Sequence, residues 1–125
     1  MIKTPQVGKT VWFFPDGDLP APGNGGAHGY FGHESLVILN PNDQDANIAI
    51  TVYFTQQPPK VLHAGTVDAQ RVRCIRTNEP IDGYQIPPGQ YALKVKASVG
   101  VICQIGRMDV TQPNLAYYTT MGYST

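Results

Sequence analysis

Apolar residues in this chain recur at every second position in several short windows. Asn47 to Thr55 sets Ile48, Ile50, Val52 and Phe54 on one face, with Ala49, Thr51, Tyr53 and Thr55 on the other. That is the period of a strand with one buried side. Tyr91 to Ala97 repeats it, with Tyr91, Leu93, Val95 and Ala97 predicted inward against Lys94 and Lys96. His33 to Asn40 carries the unbroken run Leu36-Val37-Ile38-Leu39, which predicts a strand buried on both faces. Asn40-Pro41-Asn42-Asp43 is a turn signal, so His33–Asn40 and Asn47–Thr55 are predicted to pair as an antiparallel hairpin.

Further strands are expected at Lys9–Phe14, stopped by Pro15-Asp16-Gly17, and at Val61–Val67 after the Pro58-Pro59 break. Arg71–Arg76 alternates Arg71 and Arg73 against Val72 and Cys74, then slips at Ile75, where a bulge is expected. A short helix is the alternative there. Asn78 to Gly89 is turn-rich, and Val101–Met108 and Leu115–Met121 supply the last strands. Nowhere do apolar residues follow the i, i+3, i+4, i+7 spacing of an amphipathic helix. The expectation is one all-β domain over residues 1–125, with about eight or more short antiparallel strands forming a sandwich or a barrel.

Composition agrees with a single ordered domain. The chain has 125 residues, 42% of them apolar, enough for one core without metal or disulfide staples. Thirteen Gly and eleven Pro read as punctuation between elements, and the loop Pro15–Gly32 is long enough to suggest a functional role. The formal net charge is zero, so nothing draws nucleic acid or anionic lipid over long range, and self-association meets no net repulsion. Met1-Ile2-Lys3-Thr4-Pro5 lacks an apolar signal core, and the expected location is cytoplasmic. Cys74 and Cys103 lie in apolar segments without a disulfide spacing, and are expected to be buried, inert thiols.

Motifs for catalysis fail one after another. Gly26, Gly29 and Gly32 have the wrong spacing for a dinucleotide fingerprint, and no Gly-Lys-Ser/Thr follows. His33-Glu34 opens like a zinc-protease motif, but Val37 stands where its second His belongs. His28, His33, Glu34 and Asp109 remain conceivable metal ligands, with hydrogen-bonded structural roles the stronger reading. No nucleophile has a base and an oxyanion hole. Arg107 and Asp109, two apart on an extended chain, share a face: they read either as an Arg–carboxylate clamp or as donors for a polar or anionic ligand. Aromatics are numerous, among them Trp12, Tyr117, Tyr118 and Tyr123, and suit either a core and interface or sugar recognition. The expectation is a binding protein without cofactor, metal or catalysis.

A family resemblance covers about Gly8 to Ser124. The residues that carry it are the strand with Trp12, the Pro/Gly loop, HESLVILN followed by ANIAITVYF, Ala69-Gln70-Arg71 with Arg76, Tyr91-Ala92, and Val101-Ile102-Cys103-Gln104 closing on Arg107-Met108-Asp109. This pattern resembles the Anabaena sensory rhodopsin transducer family. The resemblance implies a β-sandwich that assembles as a homotetramer, a soluble partner of a membrane photoreceptor or another receptor, and a small-molecule, carbohydrate-like ligand. Nucleic acid is the least favoured partner. The positions carried over as ligand-binding are Trp12, His33, Glu34, Asn40, Arg71, Arg76, Arg107 and Asp109. Trp12, His33, Glu34, Arg107 and Asp109 are expected to converge. Cys74 departs from the pattern, since a His is expected after Arg71.

Overall fold

The period-two segments become strands, and every pairing between them is antiparallel. This computed structural model describes residues 6–20, 23, 25, 29–110 and 116–125. Its eight strands are β1 (Lys9–Leu19), β2 (His33–Asn40), β3 (Ala46–Phe54), β4 (Lys60–Val67), β5 (Arg71–Arg76), β6 (Gly89–Asp109), β7 (Ala116–Met121) and β8 (Tyr123–Ser124). Leu115, expected to begin a strand, and His28 lie outside the described residues.

The strands form an all-β sandwich whose two layers share β6. Residues Gly89–Ala97 of β6 lie between β1 and β3, giving the first layer the order β4-β3-β6-β1-β8. Residues Ile102–Asp109 run on between β2 and β7, giving the second layer the order β5-β2-β6-β7. The two strands expected at Tyr91–Ala97 and Val101–Met108 are therefore one strand of 21 residues. Gly100 marks the crossing between layers: a Cβ there would strike the carbonyl oxygen of Val7. Ile50, Val52, Leu93 and Val95 of the first layer meet Leu36, Ile38, Cys103 and Ile105 of the second in one buried core.

Several expectations are corrected. β2 and β3 do not form a hairpin: β2 pairs with β5 and β6, and β3 with β4 and β6. The turn signal fixed a chain reversal, but the reversal carries the chain from one layer to the other. Their apolar faces meet across the core instead of lying side by side. β2 is not buried on both faces either, for Leu39 is 41% exposed. Alternation holds, with Leu36 and Ile38 inward and Leu39 outward beside Val72 of β5, which is 64% exposed. Residues 71–76 form a strand, and its register passes Ile75 without a bulge. Ile75 itself is buried, so the inward set is that of the odd residues. Cys74 consequently faces outward and is exposed, while Cys103 is buried, and both thiols are free.

Pro15-Asp16-Gly17 does not end β1. The register shifts between Phe14 and Gly17, and the strand resumes opposite Tyr91, Gln90 and Gly89. A bulge accommodates a proline that has no N–H to give a ladder. Gly17 then lets the chain pass over the Tyr91 ring, where a Cβ would come within 2.7–2.9 Å of three ring carbons.

Candidate functional site

A carboxylate occupies a core position in β2. Alternation that turns Leu36 and Ile38 inward also turns Glu34 inward, and it is 1% exposed. An isolated charge there would be costly. Cross-strand register offsets that cost by placing Arg107 of β6 opposite Glu34, and Tyr118 of β7 opposite Arg107. Arg107 Nε donates to Glu34 Oε2 at 2.8 Å. The other carboxylate oxygen, Oε1, accepts from the Asp18 N–H at 3.1 Å and the Tyr91 hydroxyl at 2.7 Å. Arg107 also donates from Nη1 to the Tyr118 hydroxyl and from Nη2 to the Asp16 carbonyl at 3.2 Å.

This arrangement stitches the layers together. β8 pairs with β1 only at Trp12 and Phe13, so beyond Phe14 the β1 edge has no strand beside it among the described residues. The Asp16 carbonyl and Asp18 N–H on that stretch would be open to strand addition. Arg107 donates to the one and Glu34 accepts from the other, doing for β1 what a neighbouring backbone would do. The pair is thus a clamp between layers as well as a polar group at a cleft.

The electrostatics keep the clamp charged on the Arg side and neutral at the phenol. Burial would lower the Arg107 pKa, but the hydrogen bond and charge of Glu34 outweigh it, with Tyr118 and Asp18 adding, and the group is raised. Tyr91 is pushed far above a normal phenol, first by burial and then by the Glu34 charge. It therefore keeps its proton at neutral pH and donates it to Glu34.

On its outer side the clamp borders a cleft of about 590 Å³ between β1 and the β7–β8 corner. Phe14, Pro15 and Asp16 form one wall, Tyr118, Thr120 and Tyr123 another, and Arg107 and Glu34 lie at the base. Tyr118 lies against the Arg107 guanidinium, 5.3 Å from ring centre to Cζ. Tyr118 is 50% exposed and presents polarisable surface to the cleft. Tyr123, opposite Phe13 in register, turns its ring to the outer face of the first layer.

Of the eight positions carried over as ligand-binding, Glu34 and Arg107 meet in this cleft, and the other six do not line it. Trp12 is a core residue whose Nε1 donates to the carbonyls of Lys9 and Val101 at 3.1 and 3.0 Å. His33 is buried, with Nδ1 2.9 Å from the Phe31 carbonyl. Asn40 is fully buried and organises the β2–β3 turn, donating to the carbonyls of Gln44, Val67 and Asp68 and accepting from the Asn42 N–H. Arg71 is exposed and reaches the carbonyl of Gln70. Arg76 is exposed on a separate depression of about 210 Å³ with His63, Arg73, Glu79 and Asp82. Asp109 stands opposite Ala116 near the start of β7, and the carboxylate on Arg107 is that of Glu34. Among the described residues no group of three His, Cys, Asp or Glu side chains could hold a metal. Tyr118 and Tyr123 stood only among aromatics suited to a core, an interface or sugar recognition, and nothing in the sequence marked Asp16, Tyr91 or Thr120 as parts of the site. Their signal is tertiary, since Asp16 contributes a carbonyl and Tyr91 acts from the far layer.

The fold and clamp define an all-β sandwich with a cleft between β1 and the β7–β8 corner, its walls mainly apolar and aromatic and its base a buried ion pair. Residues 7–124 match the family described as Anabaena sensory rhodopsin transducer, and the chain belongs to that family. Solved structures with the same fold include the crystal structure of Thermotoga maritima 1070, 32% identical with a TM-score of 0.83, over 94% of this chain and 96% of that one. The Anabaena sensory rhodopsin transducer is 30% identical with a TM-score of 0.68, over 82% of this chain and 91% of that one. No curated protein matches in sequence.

Proposed function

We propose that this chain is a non-catalytic small-molecule-binding and signalling subunit whose ligand, a neutral polyhydroxylated molecule of the carbohydrate kind, sits in the cleft beside Arg107. The observation that carries the reading is the Arg107 guanidinium, held by Glu34 through Nε with both Nη atoms turned toward the cleft walls. Its charge is balanced by Glu34, and Asp16 adds a negative group on the rim. The cleft therefore offers hydrogen bonds without net positive charge, which favours hydroxyls over phosphates or carboxylates. Tyr118 supplies a flat surface for a sugar ring, and the volume falls within the range of small-molecule sites.

Thermal shift against a panel of neutral sugars and polyols tests this, because a ligand that binds only the native state raises stability. Thr120→Trp fills the cleft from β7 at a residue with no hydrogen bond to the clamp. A sugar that stabilises the wild type and loses that effect in Thr120→Trp supports the reading; a panel that shifts neither protein removes it.

A second reading, an adaptor in a receptor complex, is favoured by the family's sensory rhodopsin transducer and by the outer face of the second layer. There Leu39, Val72 and Met121 are 41%, 64% and 54% exposed. An apolar sheet face of this kind suits a contact between chains, and a cytoplasmic homotetramer coupled to a rhodopsin-type membrane receptor would use it. Sedimentation of wild type and Leu39→Lys/Val72→Lys separates the cases: a larger species that the double variant dissolves supports assembly through this face, and a wild-type monomer contradicts it.

A further inference from the structure

The polar row that begins at the cleft does not stop at Glu34. The Tyr91 hydroxyl donates to Glu34 Oε1 at 2.7 Å, and Thr77 Oγ1 lies 2.9 Å from that same phenol oxygen. A phenol has one proton. With it committed to Glu34, the Tyr91 oxygen accepts from Thr77, and the chain has one direction: Thr77 to Tyr91 to Glu34, with Arg107 donating from the other end. Thr77, Glu34 and Tyr91 are 0%, 1% and 2% exposed.

Thr77 has a second acceptor in reach. Its hydroxyl lies 3.4 Å from the main-chain carbonyl of Glu34, which also accepts the Thr77 N–H at 3.1 Å. The hydroxyl can rotate between the phenol of Tyr91 and this carbonyl, so it has two arrangements with little backbone movement between them. Thr77 directly follows β5 and leads into the segment closed by the Ile81–Tyr84 bridge. That segment supplies Glu79 and Asp82 to the second depression, on the far side of the core from Arg107.

We propose that Tyr91 and Thr77 are positioning residues that couple the Arg107 cleft to the Thr77–Gln85 segment. A ligand that takes hydrogen bonds from Arg107 loosens its hold on Glu34; the carboxylate then leans on Tyr91, and the Thr77 hydroxyl shifts between its two acceptors. The input rests on the cleft reading given above, but the coupling is a property of the unliganded chain. A two-arrangement element biased from one end is the physical requirement for such communication.

The test reads one end while perturbing the other, in ¹⁵N-labelled protein without ligand. The probe is the Arg107 Nε–Hε resonance. Thr77→Val removes the hydroxyl at nearly constant shape, and Tyr91→Phe removes the middle link. Both are expected to shift that resonance and speed its hydrogen exchange, whereas Thr77→Ser, which keeps a hydroxyl, restores the wild-type signal. In the reverse direction Arg107→Lys is expected to shift the amides of residues 78–85. Thr66→Val, on an exposed part of β4, is expected to move neither. An Arg107 resonance unchanged in both Thr77→Val and Tyr91→Phe overturns the proposal. So does a shift in Thr77→Ser as large as in Thr77→Val, which would mark a packing effect. Should Thr77→Val fail to fold, Tyr91→Phe and Thr77→Ser decide by the same criteria. A negative sugar panel removes the ligand reading and leaves this coupling standing, and a deaf Arg107 does the reverse.

Discussion

Replacing Glu34 by Gln tests the clamp with almost no change of shape. The amide carbonyl can keep the Asp18 N–H and Tyr91 hydroxyl, but the –NH₂ then faces Arg107 Nε, donor against donor. Arg107 loses its counter-charge, with its side chain only 19% exposed. Removing one partner of a fully buried pair costs about 3–5 kcal/mol. Arg107 retains some water, so a loss of about 2–3 kcal/mol is expected, a large share of the ~5–15 kcal/mol that holds a domain together. At roughly 4 °C per kcal/mol for a chain of this size, the melting temperature should fall by about 8–12 °C. Urea unfolding of wild type, Glu34→Gln, Arg107→Met and the double variant gives the cycle. The double variant has neither charge, so its loss should be smaller than the two single losses together by about 1–2 kcal/mol. If Glu34→Gln lies within about 0.5 kcal/mol of wild type and the cycle is additive, the pair does not clamp the layers and the reasoning about the β1 edge is wrong.

Three further outcomes follow from individual residues. Asn40→Asp should destabilise by about 3 kcal/mol or more, since it aims a carboxylate at three carbonyls that now accept from Nδ2; denaturant midpoints would show it. Cys74 should react with a thiol reagent in the native protein while Cys103 reacts only after unfolding, so titration should count one thiol and then two. Burial pushes the Cys103 thiol up from 9.0 to about 12, and the unfolded thiol ionises first as the pH rises. Its contribution is fully present below about pH 9 and is lost between there and about pH 12, by up to roughly 1.4 kcal/mol per pH unit. Tyr91, also raised, adds to the slope at the upper end. Cys103→Ala should flatten the alkaline fall in stability; an unchanged slope in that variant would contradict the assignment.

The sequence was most informative where one face of a strand is buried by its own layer. Tyr91, Leu93, Val95 and Ala97 alternate and all four are buried, because burial in a sheet acts at period two. It was least informative about which strands lie together. The β2–β3 turn looked like a hairpin because turn chemistry is local, whereas the layer each strand joins depends on β6, more than forty residues on. The run Leu36–Leu39 suggested two buried faces, since apolar letters do not say whether an outer face meets water or another chain. The site was half legible. Glu34 stood out beside His33, and Arg107 with Asp109 as its expected carboxylate; the pairing of Glu34 with Arg107 is a matter of β2–β6 register that neither segment shows by itself. Trp12 and Asn40 stood out equally, but they serve the core and a turn, and their letters are the same in either role. Asp16 was invisible as a contact because it contributes a backbone carbonyl, and Thr77 because nothing local marks a hydroxyl that meets its partner across the core.

The proposed function requires a neutral polar ligand in the cleft over the Glu34–Arg107 clamp. Titrating ¹⁵N-labelled protein with the sugar panel, and following the Arg107 Nε–Hε signal beside the backbone amides, tests it most directly. Saturable shifts are expected at Arg107, Gly106, Tyr118, Thr120 and Gly122, abolished by Thr120→Trp. Saturable shifts confined to another surface, or a cleft silent to every compound in the panel, would contradict it.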